Sequence, residues 1–121
     1  MIGTRRLSRE LALQVLFQQE FAPQQSVEDG LATFRRSFDA EPDVWAYALE
    51  ILQGIEREQS AIDGCIQKAA VNWTLKRMAL VDLNIMRIAT YELKYGTESI
   101  PHAVAIDEAI EISRQWSVNA A

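Results

Sequence analysis

The stretch Leu80-Val81-Asp82-Leu83-Asn84-Ile85-Met86-Arg87-Ile88-Ala89-Thr90-Tyr91-Glu92-Leu93-Lys94-Tyr95 decides the fold. At about 100° per residue, Leu80, Val81, Leu83, Ile85, Met86, Ile88, Ala89, Tyr91 and Leu93 spread around nearly the whole circumference of a helix. Only Arg87, Thr90 and Lys94 make a consistent polar strip. A helix that is apolar almost all round is an inner member of a bundle, so other helices must cover it. Two acids break the pattern: Asp82 falls between the azimuths of Ala89 and Leu93, and Glu92 falls beside Ile85. A carboxylate on an apolar arc is costly unless it is paired or hydrogen-bonded. Both acids therefore read either as anchors, held by a helix end or an Arg, or as site residues.

This helix is expected to stop at Gly96, a residue suited to the position just past a helix end. Before it, Asn72–Met78 forms a short connection with Trp73 as an apolar plug. After it, the loop Thr97–Ile100 leads to Pro101 and a last helix, His102–Trp116. There Ala105, Ile106, Ala109, Ile110, Ile112 and Trp116 share one half of the wheel. Asp107, Glu108, Glu111, Arg114 and Gln115 share the other, giving an amphipathic helix with an acidic outer face.

Further out, the spacing predicts a long helix from about Asp43 to Ala69, with Pro42 placed at its first turn. Trp45, Ala48, Leu49, Leu52 and Ile55 form its stripe, continued by Ile62, Cys65, Ile66 and Ala69, and Gly54 and Gly64 are bend candidates. On that stripe Cys65 reads as inert packing. Ser26 followed by Asp29 resembles a capping box opening a helix striped by Val27, Leu31, Phe34 and Phe38. The breaks are Ala22–Gln25, with Pro23, and Asp39–Asp43.

The first helix covers Thr4–Phe21. Arg5, Arg6 and Arg9 lie on one arc of about 100° opposite Leu7 and Leu11. Leu11, Leu13, Val15, Leu16, Phe17 and Phe21 surround the second half, which should be buried. Cations at a helix N-terminus oppose its macrodipole. Two readings fit the three arginines: a surface for an anionic partner, or a solvated face with local pairs such as Arg9–Glu10. Spacing does not choose between them.

The 121 residues are one domain's length, and the few prolines and glycines favour an all-helical chain. One cysteine excludes an internal disulfide framework and suits a reducing compartment. No apolar run is long enough to span a bilayer and no secretory leader is visible, so no membrane association and a cytoplasmic location are expected. A net charge of −5 argues against coating nucleic acid over the whole surface, but leaves room for a local basic patch. His102 is the only histidine, and no Cys/His spacing offers a metal cage. Glu108 and Glu111 resemble half of a di-iron helix motif whose histidine is missing. Asp82 and Glu92 stand about 15 Å apart along one helix, too far to share a reacting atom. No nucleophile with its base and no phosphate-cradling loop is present. The reading is therefore of a binding protein, with no enzyme activity, cofactor or metal.

These residues resemble the NusB transcription antitermination family. The match runs from Arg5-Arg6-Leu7-Ser8-Arg9-Glu10 into Ala12-Leu13-Gln14-Val15-Leu16-Phe17, then through Trp73, Arg77-Met78, Asp82, Met86-Arg87 and Tyr91-Glu92-Leu93. It closes on Ile100-Pro101 and Val104-Ala105-Ile106-Asp107-Glu108-Ala109-Ile110-Glu111. The resemblance implies an all-α fold in a single domain of two small helical-bundle subdomains, about 1–70 and 71–121. It implies binding of boxA leader RNA through Arg5, Arg6, Arg9 and Phe17. It also implies binding of NusE, the small-subunit ribosomal protein, within the RNA polymerase antitermination complex.

Phe17 stands where many members have Tyr, so stacking is kept and the phenolic hydrogen bond is not. The C-terminal subdomain would carry the NusE contact, with Asp82, Arg87, Lys94, Glu98 and Asp107 as candidates. Asp107 stands where Asn is usual, and the family's last helix, with its Phe-Val-Asn-Gly pattern, is not in the sequence. An apolar groove beside His102–Trp116, and a homodimer closing over it, is the expected consequence. Two rival readings are a helical protein-interaction module that never touches RNA, and the accessory RNA-binding domain of a ribosomal RNA cytosine methyltransferase.

Overall fold

The computed structural model describes residues 2–69, 78–96, 108, 111 and 112. Among them the regular structure is helical throughout: α1 (Ile2–Phe21), α2 (Val27–Ser37), α3 (Pro42–Ala69) and α4 (Leu80–Lys94), the all-α class that the periodicity predicts. The chain divides into two compact units, Met1–Gln53 and Gly54–Ala121.

In the first unit α1 buries Leu11, Ala12, Leu13, Val15 and Leu16, α2 buries Val27 and Leu31, and α3 buries Val44, Trp45, Tyr47, Ala48, Ile51 and Leu52. Each large apolar side chain taken out of water contributes about 1.5–3 kcal/mol, so this three-helix interior is the unit's main source of stability. Polar details fix the helix ends. The Ser26 side chain accepts from the Asp29 N–H at 3.1 Å and starts α2. The fully buried Ser8 hydroxyl lies 2.9 Å from the Val44 carbonyl and 3.2 Å from that of Thr4, tying α1 to the start of α3. The Trp45 indole donates to the Ala40 carbonyl at 3.2 Å and closes the turn before α3.

Two expectations fail at helix ends. Phe21 is 71% exposed rather than buried, because α1 ends there and the core arc is already filled by Leu11 to Leu16. Phe38 is exposed because α2 stops at Ser37, and the extended backbone at Phe38 takes its side chain off the stripe.

In the second unit Ile55, Ile62 and Ile66 of α3 are buried, as are Leu83, Ile85, Ile88 and Tyr91 of α4. Cys65 lies at the edge of the stripe and is only half-buried. The interruption in α3 falls at Glu58 (φ −112°, ψ 20°), not at either glycine. Gly54 has a different use: a Cβ there would overlap the Tyr91 ring, so the missing side chain lets α4 approach α3. Nothing stands within 4 Å of a Cβ at Gly64.

The α4 boundaries match the expectation closely, and the N–H groups of Tyr95 and Gly96 both donate to the Tyr91 carbonyl at its end, at 2.8 and 3.0 Å. Glu92 is buried and has an interaction partner, as its azimuth requires. Glu108 is buried although the wheel placed it on the outer face, while Ile112 is buried and Glu111 exposed. The rest of the last helix, the groove expected beside it and the Trp73 plug lie outside the described residues. Among the described residues no helix is long and apolar enough to cross a membrane.

Candidate nucleic-acid interface

The first turns of α1 do not present three equivalent solvated arginines. Arg5 holds its guanidinium 4.1 Å above the ring of Tyr47, a buried side chain of α3. Its Nη1 stands 3.5 Å from an Asp43 carboxylate oxygen, and that carboxylate is 70% exposed. Arg9 is buried at 2% exposure, and Arg6 is half-buried. All three have interaction partners within the chain. Of the two readings left open, an anionic-partner surface or a solvated face, neither meets an open arc at Arg5, where the Tyr47 ring and the acid at the start of α3 pack against it. Asp43 sits in the first turn of α3, where the helix dipole favours an acid.

At the other end of the helix, Phe17 and Phe21 form an edge-to-face pair with ring centroids 5.3 Å apart and planes at 61°. Phe17 is half-buried and Phe21 exposed. The basic end and the aromatic end therefore lie on one element. An open cleft of about 520 Å³ beside the basic end is lined by Leu7, Asp39, Glu41, Pro42 and Val44. Its two carboxylates make it unsuited to phosphate.

The residues expected to meet a protein partner fall in α4 or outside the described residues. Asp82 is half-buried in the first turn, and Lys94 is the exposed last residue. Arg87, expected on a polar strip, is buried at 8% exposure. Its Nε and Nη2 donate to the two oxygens of Asp63 at 2.8 and 3.0 Å, and its Nη1 donates to Asn84 Oδ1 at 3.0 Å. Asn84 in turn donates to the Leu80 carbonyl at 2.9 Å. Glu98 and Asp107 lie outside the described residues.

Tyr47, Asp43, Asp63 and Asn84 are the functional neighbours that sequence reasoning did not single out. Only Asp43 carried a signal, as an acid in a helix's first turn. Among the described residues no cluster of His, Cys, Asp and Glu could hold a metal.

A family model described as the NusB family matches residues 6–120. The transcription antitermination protein NusB of Bdellovibrio bacteriovorus is 45% identical over 118 residues, which covers 98% of this chain and 86% of that protein. Its counterpart in Sorangium cellulosum is 41% identical over 115 residues, covering 95% and 81%. A solved structure of T. maritima NusB matches with a TM-score of 0.81 at 35% identity, covering 93% of this chain and 78% of that one. A second solved chain, from a structure described as a plectonemic RNA supercoil, has a TM-score of 0.81 at 17% identity, a likeness of fold alone.

Proposed function

The chain belongs to the NusB family of transcription antitermination proteins, and from that premise we propose that it works by binding boxA leader RNA together with NusE in the RNA polymerase antitermination complex. It acts in the cytoplasm, by binding and not as an enzyme. The observation that carries the RNA reading is the composition of α1, with cations at one end and partly exposed aromatic rings at the other. Single-stranded nucleic acid is bound by that combination, since cations track phosphates and rings stack on bases.

The geometry supports distinct roles for the residues. Tyr47 holds the Arg5 guanidinium in place. The Asp43 contact is long, with a carboxylate 70% exposed on one side and an Arg5 side chain 22% exposed on the other, so a phosphate that replaces Asp43 approaches from the carboxylate's side. Arg6 shares the helix arc of Phe17, about 20° away. Arg9 acts from beneath the surface, adding charge to the field of the helix end. NusE is met by the C-terminal part of the chain, through Asp82 and Lys94 with Glu98 and Asp107, while Arg87 holds α4 in shape for that contact.

The test is the salt dependence of binding. Arg5→Ala with Arg6→Ala should weaken binding of a boxA oligomer and flatten the slope of log K against log salt by about 0.7 per lost phosphate contact. The measurement is made with and without NusE. An unchanged slope would return both arginines to internal packing and favour the protein-only reading, to which the net charge of −5 is suited.

A further inference from the structure

We propose that Phe21 is a second base-stacking platform, one turn beyond Phe17, so that single-stranded RNA follows α1 from Arg6 to the helix's C-terminal end. This rests on the RNA reading above and extends it to a residue with no assigned role. Phe21 is 71% exposed, more than any other large apolar side chain among the described residues. Burial therefore does not explain a phenyl ring at this position. Its contact is with Phe17, and the 61° between their planes prevents the two rings from stacking on each other. Ring face is left open to a flat partner.

The arrangement along the helix specifies what that partner is. At about 100° per residue, Phe21 lies about 40° beyond Phe17 and about 60° beyond Arg6, so all three share one side of α1. The span from Arg6 to Phe21 is about 22 Å, enough for a few nucleotides of an extended strand. Gln14 and Gln18, half-buried and exposed, precede the two rings by three residues each. Their amides both donate and accept, matching the edges of bases. Glu10 lies on the same arc between the cation and the rings, and its charge keeps phosphate away from the middle of the helix. The strand is thus held by its backbone at Arg6 and by its bases at Phe17 and Phe21. A protein-docking face would surround the rings with aliphatic side chains, whereas glutamines flank these.

The test compares wild type, Phe17→Ala, Phe21→Ala and Phe21→Trp in the full chain, binding a boxA oligomer with and without NusE, over a range of salt. Phe21→Ala should weaken RNA binding roughly five- to 150-fold, with an unchanged salt slope and an unchanged melting curve, because the ring contacts no phosphate and is exposed. Phe21→Trp should retain affinity. An oligomer with one abasic site opposite Phe21 should lose the sensitivity to Phe21→Ala. If Phe21→Ala binds like wild type while Phe17→Ala weakens, the second platform is wrong and the RNA reading stands. If wild type binds no RNA in either condition, the RNA reading falls and this inference with it. If Phe21→Ala weakens NusE binding alone, the ring is a protein contact and the proposal is overturned.

Discussion

Arg87 and Arg5 are both arginines that meet an aspartate, and the contrast between them separates the two units of the molecule. Arg87 directs Nε and Nη2 at both oxygens of Asp63 and Nη1 at Asn84, at 2.8 to 3.0 Å. The side chains of Arg87 and Asp63 are 10% and 22% exposed. Arg5, its side chain 22% exposed, has a 3.5 Å contact to a carboxylate that is 70% exposed and holds its guanidinium 4.1 Å from the centre of a ring. A fork-to-fork pair in a poorly solvated place is committed, because breaking it strands a charge. A long pair whose carboxylate stands in water is exchangeable, because solvent takes over the acid when the contact breaks. Residue type does not distinguish the two cases; direction and exposure do.

The largest effect that could break this contrast is in the second unit. Arg87→Ala should cost about 3–5 kcal/mol in urea unfolding, and Arg87→Lys should recover only part, since an ammonium cannot make the fork. A loss below about 1 kcal/mol would make Arg87 no more committed than Arg5. Gly54→Ala comes next, because its Cβ would overlap the Tyr91 ring. It should destabilise by about 1–3 kcal/mol through overpacking, although Ala is the better helix former. Gly64→Ala, with open space around it, should stabilise by up to about 1 kcal/mol. Thermal melts of the pair that moved in the same direction would refute the close approach at Gly54.

The first unit should show smaller, exchangeable effects. Asp43→Asn frees Arg5 from its competitor and should tighten RNA binding by at most about fivefold; unchanged affinity in titrations would mean that Arg5 never leaves Asp43 for RNA. Glu28 gives the smallest effect. The Gln53 amide at 2.8 Å, and then its own backbone N–H, hold its carboxyl below the ordinary glutamate value. A lowered folded value contributes stability above the ordinary glutamate range and loses it as pH falls through the folded value. Gln53→Ala should therefore lower stability slightly at neutral pH, leave it unchanged below the folded value, and so flatten the pH dependence across that acid window. Equal pH profiles would remove Gln53 as the cause.

Much of the fold was legible because helical periodicity is local. The all-round apolar pattern of Leu80–Tyr95 predicted α4 nearly to its ends, and Ser26 with Asp29 predicted the cap that starts α2. Partners across elements were not legible. A wheel gives Arg87 an azimuth but cannot say that Asp63, 24 residues earlier, faces it. Likewise it showed a basic arc on α1 without the Tyr47 ring that lies against it. Phe21 misled because a wheel assumes that the helix keeps a neighbour along its full length. Glu108 misled for the opposite reason, since it is buried although its azimuth is polar, and a wheel does not show what covers a residue.

The break at Glu58 has a consequence for the order in which the backbone opens. It leaves α3 as two cooperative lengths, Pro42–Arg57 and Gln59–Ala69. The second has eleven residues, shorter than the ~12–15 at which an isolated helix becomes even marginal in water. Its persistence depends on the side chains of Ile62 and Ile66. The non-helical backbone at Glu58 is the weak point of the hydrogen-bonded ladder, so the amides around it are the gate for hydrogen exchange along this helix. Solvent deuterium should enter there first and spread toward Ala69 before it reaches the protected run from Trp45 to Leu52.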